Sequence, residues 1–121
     1  MAGRFPLYTD ADVNGPVVDA LSGHGWDVVR AIDTFPEGTD DDVHFAYAAR
    51  EGRVMVGNDI DVKLLAERWH AEGRPFPGLA WWPRGHYVRM KPGDFLEAFE
   101  ELAARDDPFA GYLIVHIKPK R

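Results

Sequence analysis

The run Arg53-Val54-Met55-Val56-Gly57 constrains the chain more than any other segment. It is rich in β-branched residues, and no polar residue alternates through its apolar centre, so a strand here is expected to be covered on both faces. Strands of that kind belong to parallel sheets with helices packed on each side, and the flanking patterns supply the helices. Upstream, Asp40 to Glu51 carries Val43, Ala46, Tyr47 and Arg50 at helical spacing, with Thr39 and Asp42 forming a capping-box pattern at its start and Gly52 as its stop. Downstream, Ile60 to Glu72 sets Leu64, Leu65, Arg68 and Trp69 so that an apolar stripe lies beside a charged one, and Gly73 ends it.

The same alternation runs through the rest of the chain. Arg4 to Thr9 reads as a strand, Pro16 to Ser22 as a helix entered through Asn14 and Gly15 and closed at Gly23, and Asp27 to Ile32 as a second strand. A turn-rich loop follows at Phe35 to Gly38. Gly78 to Trp82 is a fourth strand stopped by Pro83, Pro92 to Ala104 a helix with Phe95, Leu96, Phe99 and Leu102 on one side, and Gly111 to Ile117 a fifth strand. These patterns predict one α/β domain over residues 1–121, with a mainly parallel five-stranded sheet, its first three strands central, between two helical layers.

Composition narrows the class further. Hydrophobic residues make up 45 % and charged residues 28 %, which excludes a disordered tail or a fibrous repeat. Apolar runs such as Leu79 to Trp82 fall far short of the roughly 20 residues a membrane span needs, and no signal-peptide pattern precedes Phe5. The absence of cysteine removes disulfides and thiolate metal sites, and an intracellular, cytoplasmic address is expected. The net charge of −6 argues against a broad basic surface for nucleic acid. Residues 1–62 hold twelve acids against four arginines, whereas the second half carries a basic end at Lys118, Lys120 and Arg121.

The acids are patterned. Leu7-Tyr8-Thr9 leads into Asp10-Ala11-Asp12-Val13, and Met55-Val56-Gly57-Asn58 leads into Asp59-Ile60-Asp61-Val62, so a strand, an Asp-x-Asp-Val and a helix occur twice. One aspartate before a helix is an ordinary cap that also complements the helix dipole. Two at each site exceed what capping needs. In an open parallel sheet adjacent strands end at one edge, where such folds bind ligands, so the carboxylates of Asp10, Asp12, Asp59 and Asp61 are expected to converge there. Converging carboxylates need a counter-charge, and a hard divalent cation, Mg²⁺ or Mn²⁺, fits an all-oxygen set. Asp40, in the first turn of its helix, is a candidate fifth member, while Asp33, Asp41 and Asp42 read as surface or structural. Metal-bound carboxylates suit phosphodiester hydrolysis. Neither a phosphate-cradling glycine loop nor a Ser-His-Asp arrangement is legible. Of the five histidines, His70 and His116 read as structural, and His86 as a candidate substrate contact.

With Asp10-Ala11-Asp12 after the first strand, Gly38-Thr39-Asp40 opening the second helix, Gly52 to Val56 leading into Asp59-Ile60-Asp61, Pro77-Gly78 before the fourth strand and Arg84 after it, residues 4–117 resemble the small PIN-like branch of the PIN-domain ribonuclease superfamily. The resemblance implies a three-layer α/β/α sandwich and Mg²⁺- or Mn²⁺-dependent endoribonuclease activity. It implies Asp10 and Asp59 as principal ligands, with Asp40 and Asp61 completing the catalytic cluster. Arg84 would contact a phosphate, and Arg30, Arg89 and Lys91 would help to hold RNA. An antitoxin partner and a homodimer are implied on the same ground. Such proteins usually carry Asp-Glu-Asn where Asp10-Ala11-Asp12 stands, a Ser or Thr at Gly57 and a Phe at Val62. Two other readings compete. One is a receiver-like phosphoacceptor module, suggested by acids after the first and third strands and by Lys118-Pro119; the other is an inactive PIN-like interaction module presenting Trp26, Trp69, Trp81 and Trp82.

Overall fold

The computed structural model describes residues 3–85, 90–110 and 113–117. Five strands, β1 (Leu7–Thr9), β2 (Val28–Arg30), β3 (Val54–Gly57), β4 (Leu79–Trp81) and β5 (Ile114–His116), form one sheet in the order β2-β1-β3-β4-β5 with every pair parallel. Between them lie α1 (Gly15–Gly23), α2 (Asp41–Arg50), α3 (Ile60–Ala71) and α4 (Pro92–Ala103), and a 3-10 turn, Ala31–Asp33, follows β2.

Period-two alternation along the strands splits the core into two layers. Leu7, Val54 and Val56 face α1 and α4, packing with Val17, Leu21, Phe95 and Phe99. Tyr8 and Met55 face α2 and α3, packing with Phe45, Leu65 and Trp69. This is a three-layer α/β/α sandwich, as the patterning predicts, and every residue of β3 is buried. Trp26, Trp69, Trp81 and Trp82 are all buried too, so the tryptophans belong to the core and offer no partner surface.

Two expectations change. The central strands are β1, β3 and β4, because β2 lies at the edge of the sheet, where all three of its residues are only half-buried. The sheet switches direction between β1 and β3: the chain leaves β1 for β2 on one side and returns to place β3 on the other. This strand order is that of the flavodoxin-like doubly wound sheets, which bind ligands at that switch point. The capping box at Thr39 does not form either. The Thr39 hydroxyl donates to the Pro36 carbonyl at 2.6 Å, and Asp40 stands at the N-cap without a side-chain capping bond. Other helix starts follow the sequence, with Asn14 accepting from the Val17 N–H at 3.0 Å and Asp59 from the Asp61 N–H at 3.0 Å.

Candidate metal centre

The register of the central strands brings the two Asp-x-Asp segments together. Thr9 pairs with Val56, and the next residue stays on the ladder because the Asp10 N–H donates to the Val56 carbonyl at 2.9 Å. Asp10 thus leaves the sheet edge with a fixed backbone, and its carboxylate lies beside Gly57, where a Cβ would stand 3.5 Å from that of Asp10. The side chain is nearly buried, 7 % exposed, and accepts the Ala11 N–H at 2.9 Å. Burial is the main cause that pushes its carboxyl up to about 6; the Ala11 bond opposes this, and the charges of Asp41, Asp12 and Asp59 add to it.

Asp59 caps α3, and its carbonyl accepts the Trp81 indole N–H at 2.9 Å, which ties the β3–α3 loop to β4. Asp61 follows in the first turn of α3, and Asp41 in the first turn of α2. Oxygens of Asp41, Asp59 and Asp61 lie within 4.8 Å of one another, close enough for one cation to engage all three. The Asp41 carboxyl is raised by burial and then by Asp59 and Asp61, with His44 acting in the opposite sense. A cleft of about 580 Å³ opens over this edge, with Asp10, Asp12, Asp41 and Asp59 in its lining. At its mouth Arg84 Nη2 sits 2.7 Å from an Asp12 oxygen and 3.9 Å from one of Asp59. This pair is largely solvated and adds little stability, but it brings a positive charge to the acids.

The structure therefore gathers four of the expected acids, Asp10, Asp12, Asp59 and Asp61, around one edge. Asp40 is not one of the three whose oxygens lie within 4.8 Å of one another; it lines a neighbouring depression together with Asp41, Asp42, Asp61 and Arg68. Asp41, which reads from the sequence as surface or structural, takes its place. The physical reason is the start of α2. With Asp40 at the N-cap, the first helical side chain is that of Asp41, and one residue is about 100° around a helix. Asp42 pairs with Arg68 at 3.4 Å. Arg30 ends β2 and is not in the cleft lining, and Arg84 meets Asp12. His86, Arg89, Lys118 and Pro119 lie outside the described residues.

One cleft residue has no counterpart among the expected ones. His44, 6 % exposed, lines the cleft on α2 with its Nδ1 2.8 Å from the buried Tyr8 hydroxyl, and burial lowers its pKa. The signal was its spacing of three from Asp41, which puts both on one helical face. No family model, no curated protein and no solved structure matches the chain.

Proposed function

We propose that this chain is a divalent-metal-dependent ribonuclease of the PIN-like type, hydrolysing RNA phosphodiester bonds at the sheet edge. The observation that carries the reading is the convergence of the Asp41, Asp59 and Asp61 oxygens within 4.8 Å at the β1/β3 switch point, with buried Asp10 beside them. The donor set is all carboxylate, with no cysteine in the chain, which favours Mg²⁺ or Mn²⁺. Asp41, Asp59 and Asp61 would hold the ion, with Asp10 reinforcing the negative field and Asp12 at the rim. Such an ion supplies Lewis-acid polarisation of the phosphate and lowers the pKa of a bound water. The protein contributes placement: Asp10 is fixed by the β3 ladder, Asp59 by its cap and by Trp81. Arg84, already at the mouth, is placed to exchange Asp12 for a substrate phosphate. The choice of RNA, an antitoxin partner and a homodimer come from the resemblance to PIN-like proteins, and a cytoplasmic location from the cysteine-free composition; among the described residues no helix is long and apolar enough to cross a membrane.

The strand order favours one second reading, a receiver-like phosphoacceptor, because that order is shared with receiver domains. Against it, the last residue of β3 is Gly57, and no hydroxyl residue follows β4 at Trp82-Pro83-Arg84. The two readings part in one experiment. Purified protein, free of partner, is incubated with a pool of single-stranded and structured RNA in Mg²⁺, Mn²⁺ or EDTA, and separately with acetyl phosphate. Metal-dependent cutting that is lost in both Asp10→Asn and Asp59→Asn is the expected result. A folded protein that cuts nothing in either metal overturns the nuclease, and phosphate incorporation at Asp59 would favour the phosphoacceptor.

A further inference from the structure

Arg84 leaves the sheet from a fixed point. Trp82, one residue past β4, is fully buried, and its backbone N–H donates to the Gly57 carbonyl at 3.2 Å, whereas Pro83, Arg84 and Gly85 are exposed. From there the guanidinium reaches back across the end of β3 to the acid that follows β1, with Nη2 2.7 Å from Asp12 Oδ2 and 3.9 Å from Asp59 Oδ2. Asp59 is the residue that this contact shares with the three-acid cluster. Its Oδ1 accepts the Asp61 N–H at 3.0 Å, so the oxygen not used by the α3 cap is the one that faces Arg84. The neighbouring cations are engaged elsewhere: Lys63 Nζ lies 5.0 Å over the Trp81 ring, and Arg68 meets Asp42 at 3.4 Å. Among the described residues, Arg84 is the one cation in ion-pair contact with Asp59.

We propose that Arg84 is a built-in competitor of the divalent ion: it holds Asp59 in the metal-free protein, keeps metal affinity low, and is drawn off by a phosphate group. The inference rests on the metal-dependent nuclease reading and adds to it the regulation of the site. A guanidinium beside Asp59 Oδ2 and a divalent ion on Asp41, Asp59 and Asp61 are like charges that share one carboxylate. Charges of +1 and +2 about 5 Å apart in water oppose each other by roughly fivefold in affinity once physiological salt is counted. The contact is weak enough to exchange, since the side chains of Arg84 and Asp12 are 64 % and 45 % exposed and solvated pairs contribute little. A phosphate offers the guanidinium two anionic oxygens in the geometry it prefers. Once Arg84 turns to the phosphate, Asp59 is left to the metal, so phosphate and metal each favour the other's binding, by the same factor in both directions. The site thus loads metal fully only with substrate in place.

The test titrates the whole protein with Mn²⁺ at about 0.1 M KCl, where the Debye length is about 10 Å, following the free ion by electron paramagnetic resonance. Arg84→Gln removes the charge at an exposed side chain. Arg50→Gln removes the same charge at the far end of α2, about 14 Å along the helix from Asp41. Arg84→Gln is expected to bind Mn²⁺ about fivefold more tightly than the wild type, and Arg50→Gln to stay within about twofold of it. At about 1 M KCl, where the Debye length is about 3 Å, the gain is expected to shrink below about twofold. Saturating hexathymidylate, corrected for its own Mn²⁺ binding, is expected to raise wild-type affinity by a similar factor and to add nothing in Arg84→Gln. Equal or weaker binding in Arg84→Gln, an equal gain in Arg50→Gln, or a gain undiminished at high salt overturns the competition. An unchanged wild-type affinity in hexathymidylate overturns the release by phosphate. Failure of the underlying reading looks different: no saturable Mn²⁺ binding in the wild type or in Arg84→Gln removes the metal site itself. The expected gain in a protein that never cleaves RNA upholds the competitor and removes the nuclease.

Discussion

Asp10 is the residue at which the fold works against a charge. Its carboxyl, ordinarily near 3.8, is pushed up to about 6, first by burial and then by Asp41, Asp12 and Asp59. An acid raised in the folded state holds its proton there to a higher pH than in the unfolded chain, so its ionisation destabilises the fold. Stability from this group is therefore lost as pH rises from about 4 to 6 and is level above that. Asp10→Asn keeps an oxygen for the Ala11 N–H and removes the charge. Metal-free, it is expected to be more stable than the wild type by roughly 2 to 3 kcal/mol at pH 7.5 and nearly equal to it at pH 4, read by urea unfolding in EDTA. His44 acts in the opposite direction, since burial lowers its pKa and favours the neutral ring, and comparing the two proteins at each pH cancels it. Two glycines differ in the same local way. A Cβ at Gly57 would make ordinary contact with Asp10 at 3.5 Å, whereas one at Gly78 would stand 2.5 Å from the Phe109 ring. Gly57→Ser is expected to unfold within about 1 kcal/mol of the wild type, and Gly78→Ala about 2 to 3 kcal/mol earlier, by thermal denaturation.

At the scale of elements, the ends matter more than the middles. The apolar run of β3 and the stripe of α3 were legible because burial leaves a periodic trace in the residues themselves. The first turn of α2 was not. Thr39 and Asp42 have the spacing of a capping box, yet the Thr39 hydroxyl is taken by Pro36, and with the helix starting at Asp41 it is Asp41 and not Asp40 whose oxygen lies within 4.8 Å of those of Asp59 and Asp61. A shift of one residue is invisible to periodicity and decisive for a ligand set. The caps differ accordingly in what they contribute. Asn14→Ala, which removes the bond to the Val17 N–H, is expected to cost about 1 kcal/mol. Thr39→Ala, whose hydroxyl does not cap α2, is expected to cost less than half of that in the same denaturant series.

For the molecule as a whole, the doubled Asp-x-Asp-Val showed that two strand ends carry acids, and the pairing of Thr9 with Val56 is what brings them together. Strand neighbours are set by where the crossovers pack, which no local pattern records; the edge position of β2 left only the polar flanks Asp27 and Arg30 as a hint. His44 was missed because its partner, Tyr8, lies 36 residues away on β1. What unites these features is the claim that Asp41, Asp59 and Asp61 hold one divalent ion. The most direct measurement is a Mn²⁺ titration of the wild type, Asp41→Asn, Asp59→Asn and Asp40→Asn, following free Mn²⁺ by electron paramagnetic resonance. Saturable binding is expected in the wild type and in Asp40→Asn, weakened at least about tenfold in the other two, as for loss of one charged ligand. No saturable binding to the folded wild type, or an equal loss in Asp40→Asn and Asp41→Asn, would contradict it.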